Sequence, residues 1–386
     1  MNRKLFVSLI CALYLFPAWL CAKVSEKRIV FCGDTNFAES YQERFARWGQ
    51  GNVLVDLGYD YSIEEIGTIT RRADYAVANL ETVITTQRKS PHLGKKSYIH
   101  HSHPVKTPKA LLRWGIDVVS LGNNHTMDYG LEGLKETITS LKKYSMPSFG
   151  GGLSTTCAAR AHLTTINVGK GKIPLLLSGA FEYRPRYQRK YSFYAQGKLG
   201  GVNGWTDESG PAQIKSFRQN HKDAFIVVFP HWGKNYHWRS YHQQRLAHKL
   251  IDAGADLILG HGAHMLQEIE QYKGKWIVYS LGNFVFNTKG RYDKDKKPPF
   301  SLIAEVSFAE VSKKLDWFLR LYPIFCNNRK THFRSRFVNK GEMSLVKKEL
   351  LRLEKRSSAL RKLLELKSDE VGNYFEFPGG TLLKTE

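Results

Sequence analysis

Cysteine is scarce in this 386-residue chain: five in all, two of them (Cys11 and Cys21) inside an apolar N-terminal stretch. The others, Cys32, Cys157 and Cys326, lie far apart at no metal-ligand spacing. This argues against a thiolate zinc knot and limits the chain beyond the N-terminus to one internal disulfide. Acidic residues are also few, 35 Asp and Glu against 58 Lys and Arg, for a formal net charge of +23. Such an imbalance favours phosphates, acidic polymers or anionic headgroups as partners. Beyond the N-terminus no apolar run approaches membrane-spanning length. There is no phosphate-cradling glycine loop, serine nucleophile elbow, internal repeat or nucleic-acid reader motif. Nucleotide-binding, serine-hydrolase and nucleic-acid readings therefore fall away.

What is present is the material for a large core: 42% hydrophobic and 12% aromatic residues. The opening "MNRKLFVSLICALYLFPAWLCA" has Arg3 and Lys4, then an apolar run ending in small residues. That is the layout of a secretory signal peptide, with a retained N-terminal anchor as the alternative. Residues 1–22 are therefore expected to direct export, to the periplasm or the extracellular face, with membrane association through the N-terminus if the segment is retained.

Short apolar runs then alternate with helical patterns. "KRIVFCGD", "DYAVANLE", "GIDVVSLGNNH", "DAFIVVFPHWG" and "GADLILGHGAH" read as five doubly covered strands. "PVKTPKALLRWG", "LEGLKETITSLKKY" and "QQRLAHKLIDAG" read as helices between them. The alternation predicts an α/β fold with mostly parallel strands. Just beyond each run stands a ligand-type residue: Asp34, Glu81, Asn124 with His125, His231, then His261 and His264. Right-handed crossovers bring the carboxyl ends of such strands to one rim. Carboxylate, amide oxygen and imidazole suit a borderline-to-hard divalent ion: one or two of Mn, Fe, Zn, Co or Ni, which this donor set does not distinguish. Asn36, Asn123 and Asn283 are candidates for supporting or substrate-contacting roles. Asn283, in a repeated Ser-Leu-Gly-Asn, is read as anchoring a turn.

Three further stretches carry charge or histidine. "SYIHHSHP", with His100, His101 and His103, matches no compact metal spacing and is expected to be a surface loop over the cleft. "HWGKNYHWRSYHQQR", with Lys234, Arg239 and Arg245, suits either a groove for an anionic chain or a helix start with a partly buried aromatic face; "PRYQRKY" at 185–191 reads as a basic aromatic loop of the same kind. Near the C-terminus, "FSLIAEVSF" and "WFLRLYPIF" predict a β hairpin that completes a second sheet, and residues 341–386 a basic amphipathic helix and tail.

The segments "FCGDTNFAESYQ", "ANLET", "SLGNNHTMDYG", "FPHWGKNY", "DAGADLILGHGAHMLQEIE" and "YSLGNFVFN" resemble the poly-γ-glutamate capsule-synthesis CapA-like proteins. The resemblance implies a calcineurin-like metallophosphatase fold, a four-layer α/β/β/α sandwich, over residues 28–340. It implies one metal held by Asp34, Glu81 and His264. A second would be held by Glu81 as a bridge with Asn124, His231 and His261. His125 would donate to a leaving oxyanion; Asp128 is close enough to orient it, with capping of the following helix as the alternative. Three departures from the wider superfamily stand out: Asn36 in place of a histidine, Glu81 in place of a bridging aspartate, and "GHGAH" in place of Gly-His-x-His.

The implied role is in biosynthesis or export of an anionic surface polymer of the poly-γ-glutamate type, with metal-dependent hydrolysis at this site. The alternatives are a phosphoesterase acting on a small phosphorylated substrate and a non-catalytic polyanion-binding scaffold.

Overall fold

The computed structural model describes residues 26–311, 314–352 and 358–382. The segment expected to direct export, 1–22, lies outside the described residues. Strands β1 (Glu26–Asn36), β2 (Tyr75–Leu80), β3 (Val118–Ser120) and β4 (Ser148–Phe149) lie side by side, all parallel. Helices α1 (Glu39–Arg47), α2 (Lys106–Arg113) and α3 (Gly130–Lys143) fall in the crossovers. The second sheet starts with β5 (His162–Val168) antiparallel to β6 (Gly171–Glu182). It continues through β7 (Phe225–His231), β8 (Leu257–Leu259), β9 (Ile269–Tyr272) and β10 (Lys275–Val278). Here β6, β7, β8 and β10 are parallel and β9 runs against β10. Its helices are α4 (Pro185–Tyr191), α5 (Ser209–Asn220) and α6 (Tyr241–Asp252).

Period-two alternation explains why two sheets stack between helices. In β1, Ile29 and Phe31 enter the core between the sheets, whereas Val30 and Cys32 pack on the helical side with Ala110 of α2 and Leu134 and Leu141 of α3. In β7, Phe225, Val227 and Phe229 face the first sheet, while Ile226 and Val228 meet Leu246, Ala247 and Leu250 of α6. Each strand is apolar on both faces because both are covered. The result is the expected four-layer α/β/β/α sandwich.

The expected five strands leave out β5 and β6, and two further expectations change. The strands β12 (Phe300–Val311) and β13 (Lys314–Phe325) do pair with each other, but they extend the first sheet, antiparallel to the free edge of β1. Between them and β10, strand β11 (Asn283–Phe286) pairs with the end of β1. The C-terminal segment is not a helix followed by a tail. Helix α7 (Lys340–Leu350) buries Met343, Val346 and Leu350 in the inter-sheet core, and β14 (Leu366–Ser368) and β15 (Asn373–Leu382) continue the first sheet beside β13. Pro378 and two glycines disguise β15 in the sequence. They mark a register shift at Trp317, whose indole occupies the space a side chain at Gly379 would need. All three cysteines of the described residues are free. No helix among the described residues is long and apolar enough to cross a membrane.

Candidate metal centre

The carboxyl ends of β1, β2, β3, β7 and β8 converge, and with them the residues singled out in the sequence. Asp34, Glu81 and His261 are wholly buried, and Asn124, His125, His231 and His264 nearly so. Asp34 sits where β1 passes directly against the turn at Gly282, whose carbonyl accepts from the Asp34 amide at 2.8 Å. Gly33 makes that crossing possible, since a Cβ there would overlap the Gly282 carbonyl. An amide relay fixes the carboxylate: Asn123 Nδ2 donates to Asn79 Oδ1 (3.0 Å), and Asn79 Nδ2 donates to Asp34 Oδ1 (3.0 Å). The Gly262 amide donates to Asp34 Oδ2 at 3.1 Å.

The longer "GHGAH" spacing is absorbed by left-handed backbone at Gly262 (φ 102°) and His264 (φ 60°), which curls the loop so that both imidazoles reach Asp34. Gly262 also leaves room for the His231 ring, which a side chain there would meet at about 3 Å. His261 Nδ1 and His264 Nδ1 each lie 3.3 Å from an Asp34 oxygen. Asn283 does more than anchor a turn. Its Oδ1 lies 2.9 Å from His264 Nδ1, and its Nδ2 donates to the Tyr292 hydroxyl, which donates in turn to the His264 carbonyl. That leaves His264 Nε2 facing Glu81 Oε1 at 3.8 Å.

Glu81 is the anomaly of the site. Both its carboxylate oxygens are buried without a hydrogen-bond partner, as are Asn124 Oδ1 and His261 Nε2. Around Glu81 Oε1 stand His264 Nε2, His125 Nε2 (3.8 Å) and His231 Nε2 (3.9 Å), too distant for hydrogen bonds. Buried polar atoms without partners are expensive. Ligands that each bond a metal ion at about 2.0–2.2 Å stand at such mutual separations. Among the described residues two groups satisfy that geometry, Asp34–His231–His261 and Asp34–Glu81–His264, each with its ligand atoms within 4.8 Å of one another. The second is the set expected for one metal. Asp34 is common to both, so the shared place expected of Glu81 falls to Asp34, while Glu81 belongs to the second group alone.

The electrostatics suit a cation. Burial opposes ionisation of Asp34, but hydrogen bonds with His261 and His264 outweigh it and hold its carboxyl well below the usual range. Burial, and then the neighbouring charge of Asp34, push Glu81 well up. Burial holds His125 and His231 well below the ordinary imidazole value, His125 with help from Lys96. Neutral imidazoles are the metal-binding form.

Asp128 does not cap α3; Tyr129 holds that position without a side-chain bond. Asp128 Oδ2 instead lies 2.6 Å from His125 Nδ1 and accepts from the His100 amide, while Oδ1 accepts from Lys96 Nζ at 2.6 Å. It is a positioning residue for His125. His100 is not on an exposed loop: it is buried with its ring 4.3 Å from that of His125. Asn36 turns the chain into α1, its Oδ1 accepting from the Ala38 amide at 2.7 Å. Lys234 is exposed and does not line the adjoining cavity. Arg245 pairs with Asp207, and Arg239 lies over Tyr279, so these three cations form no groove at the centre. "PRYQRKY" is helical, as α4, and contributes Arg186, Tyr187 and Tyr191 to the cavity. Sequence reasoning missed Lys96, Asn79 and Tyr292, and set His100 over the cleft without its contact with His125. Only Asn79, two residues before Glu81, carried a positional signal.

Residues 28–288 match the family described as bacterial capsule synthesis protein PGA_cap. The chain is 31% identical over 259 residues to a PGA biosynthesis protein CapA of Bacillus subtilis, covering 61% of this chain and 59% of that protein. It is 30% identical over 243 residues to a capsule biosynthesis protein CapA of Bacillus anthracis, covering 62% and 56% respectively. Over 256 residues it is 30% identical to a probable polyglutamine synthesis accessory protein of Mycobacterium tuberculosis, covering 63% and 61%. The chain thus spans less than two thirds of the length of these relatives. With the family match running from β1 through the ligand-bearing loops to β11, the chain belongs to the bacterial capsule synthesis protein family.

Proposed function

We propose that this chain is an exported protein that performs metal-dependent hydrolysis or transfer on an anionic polymer of the capsule type. The observation that carries the reading is the unpartnered Glu81 carboxylate, enclosed by three imidazoles beside a cavity whose charged lining is entirely basic. Asp34, Glu81, Asn124, His231, His261 and His264 would hold one or two divalent ions. When bound, such ions activate water and neutralise charge on attacking and leaving oxygens. The protein's own part is to orient and to move protons. Asp128 holds His125 by Nδ1, which leaves Nε2 on the side of Glu81; Nε2 first takes up the proton released from the attacking water, with the Asp128 carboxylate steadying the imidazolium, and then passes it to a departing oxygen. Lys96 balances the Asp128 charge. The names of the relatives, a PGA biosynthesis protein CapA and a capsule biosynthesis protein CapA, support the polymer class.

A second reading, a small phosphorylated substrate, draws support from the cavity volume of about 440 Å³, within the range of small-molecule sites. Metal analysis of gently purified protein, followed by turnover assays with Mn²⁺, Co²⁺, Ni²⁺, Zn²⁺ and Fe²⁺ on γ-linked glutamate oligomers and on phosphate mono- and diesters, separates the two. Activity that survives His125→Ala, or no activity with any metal, would overturn the catalytic reading and leave a polyanion-binding scaffold.

A further inference from the structure

The cavity beside the centre is lined by Arg44, Lys96, Arg184, Arg186 and Arg291 and by no aspartate or glutamate. Two of these cations are already neutralised at close range: Lys96 by Asp128, and Arg184 by Glu182 at 3.0 Å. Arg291 is only partly engaged, with Nε 3.3 Å from Asp295 and its guanidinium 4.9 Å from the Tyr236 ring centroid. Arg44 lies over the rings of Tyr41 and Trp48, and neither it nor Arg186 forms an ion pair among the described residues. Arg44 comes from α1, Arg186 from α4 and Arg291 from the segment after β11, so three distant parts of the chain supply the same chemistry to one cavity.

The position of Arg291 is informative. The Tyr236 ring under Arg291 is itself 5.8 Å from the His264 ring, so one aromatic ring separates the guanidinium from a metal-facing imidazole. A single oxyanion at the centre would leave these arginines unmatched. A substrate with a second charged group further along its chain would engage both.

We propose that Arg44, Arg186 and Arg291 form a second anion-binding subsite, which holds another oxyanion of a substrate that carries at least two along one chain. The inference rests on the reading of the neighbouring cluster as the reacting centre. Planar guanidinium groups bind carboxylate and phosphate oxygens alike, so either a polycarboxylate or a polyphosphate chain supplies the required chemistry. Arg44, Arg186 and Arg291 would set the preference for multiply charged substrates over singly charged ones, and the binding would weaken as salt rises.

Calorimetric titration of the full chain loaded with Mn²⁺ tests this with three probes: a γ-linked glutamate tetramer, linear tripolyphosphate, and inorganic phosphate as the single-anion reference. In Arg44→Ala/Arg186→Ala, the affinity for at least one of the two chains should fall about tenfold relative to inorganic phosphate, the scale of a lost charge-assisted contact. The chain affected identifies the source of the second oxyanion. Arg186→Glu, a single exposed change, should produce a larger loss of the same kind and covers the case in which the double variant fails to fold. The subsite is overturned if both chains keep their affinity relative to phosphate in these variants, or bind wild-type protein no more tightly than phosphate does. Failure of the metal centre would look different: wild-type protein would hold no metal and Asp34→Asn would change no metal content, while the same comparison on metal-free protein would still decide the subsite.

Discussion

Glu81 and Glu305 are both completely buried, yet their surroundings are opposite. Glu305, on β12, accepts from Arg72 at 2.9 Å on one oxygen and from Arg320 at 3.0 Å on the other. Those arginines reach on to Asp369, Glu26 and Glu376, so a single network joins β1, β12, β13 and β15 across the face of the first sheet. Glu81 has no donor on either oxygen. A buried carboxylate is tolerable when its charge and lone pairs are matched. At Glu305 the chain supplies the match itself. At Glu81 it supplies further ligand atoms instead of a donor, a set whose spacing suits a cation. Burial of an acid therefore does not mark a functional site; burial without a donor, among other ligand atoms, does.

Isosteric neutralisation of each acid should break this comparison in opposite directions. Glu81→Gln should reduce bound metal to background and lower metal-dependent turnover by roughly 10³-fold or more, the scale of removing one member of an interdependent catalytic set. Denaturant unfolding of the metal-free protein should show little change in stability, because burial and the Asp34 charge already favour the neutral acid at Glu81, which Gln mimics. Glu305→Gln should do the reverse, destabilising by about 3–5 kcal/mol as two arginines lose their shared partner, with metal content unchanged. If Glu81→Gln instead destabilises as Glu305→Gln does, Glu81 is a structural acid and the metal assignment fails. Chelation gives a third, smaller contrast. Metal present at a hundredfold above its dissociation constant stabilises by about 2.7 kcal/mol. Chelator should therefore lower the melting temperature of wild type and of Glu305→Gln, and leave that of Glu81→Gln where it was.

The two regions also differ in how legible they were. Strand ends gave Asp34, Glu81, His231, His261 and His264 correctly placed on one rim, because crossover handedness fixes where successive parallel strands deliver their ends. The apolar runs gave the inner strands for the same reason: coverage on both faces makes them stand out. The Glu305 network left no such trace. It joins Arg72, Glu305, Arg320 and Asp369 from four separate stretches, and no local period places them together. The β5–β6 pair was missed because β5, "HLTTINV", mixes apolar and polar residues at an edge, and the apolar run of β6 contains Pro174 and Gly179, which read as breaks. Lys96 and His100 were illegible for a related reason, since only the closure of their loop over His125 gives them a role.

The smallest expected effect concerns support rather than ligation. With Asn283 Oδ1 accepting from Nδ1 of His264, the Nε2 lone pair is presented to the centre, and the left-handed backbone of His264 makes that orientation dependent on being held. Asn283→Ala removes the acceptor and, with it, the donor to Tyr292 that steadies the His264 carbonyl. Loss of such support weakens metal binding about 10–100-fold in general. Asp34 Oδ2 stands 3.3 Å from the same Nδ1 and offers a substitute acceptor, which places the expected loss near the lower end. Competition with a calibrated chelator measures it directly. Asn283→Asp, which keeps an acceptor oxygen, should recover most of the affinity, whereas Lys234→Ala, an exposed change outside the cavity, should leave it unaltered. An Asn283→Ala protein that binds metal as tightly as wild type would mean that the backbone curl at Gly262 and His264 alone aims the imidazole.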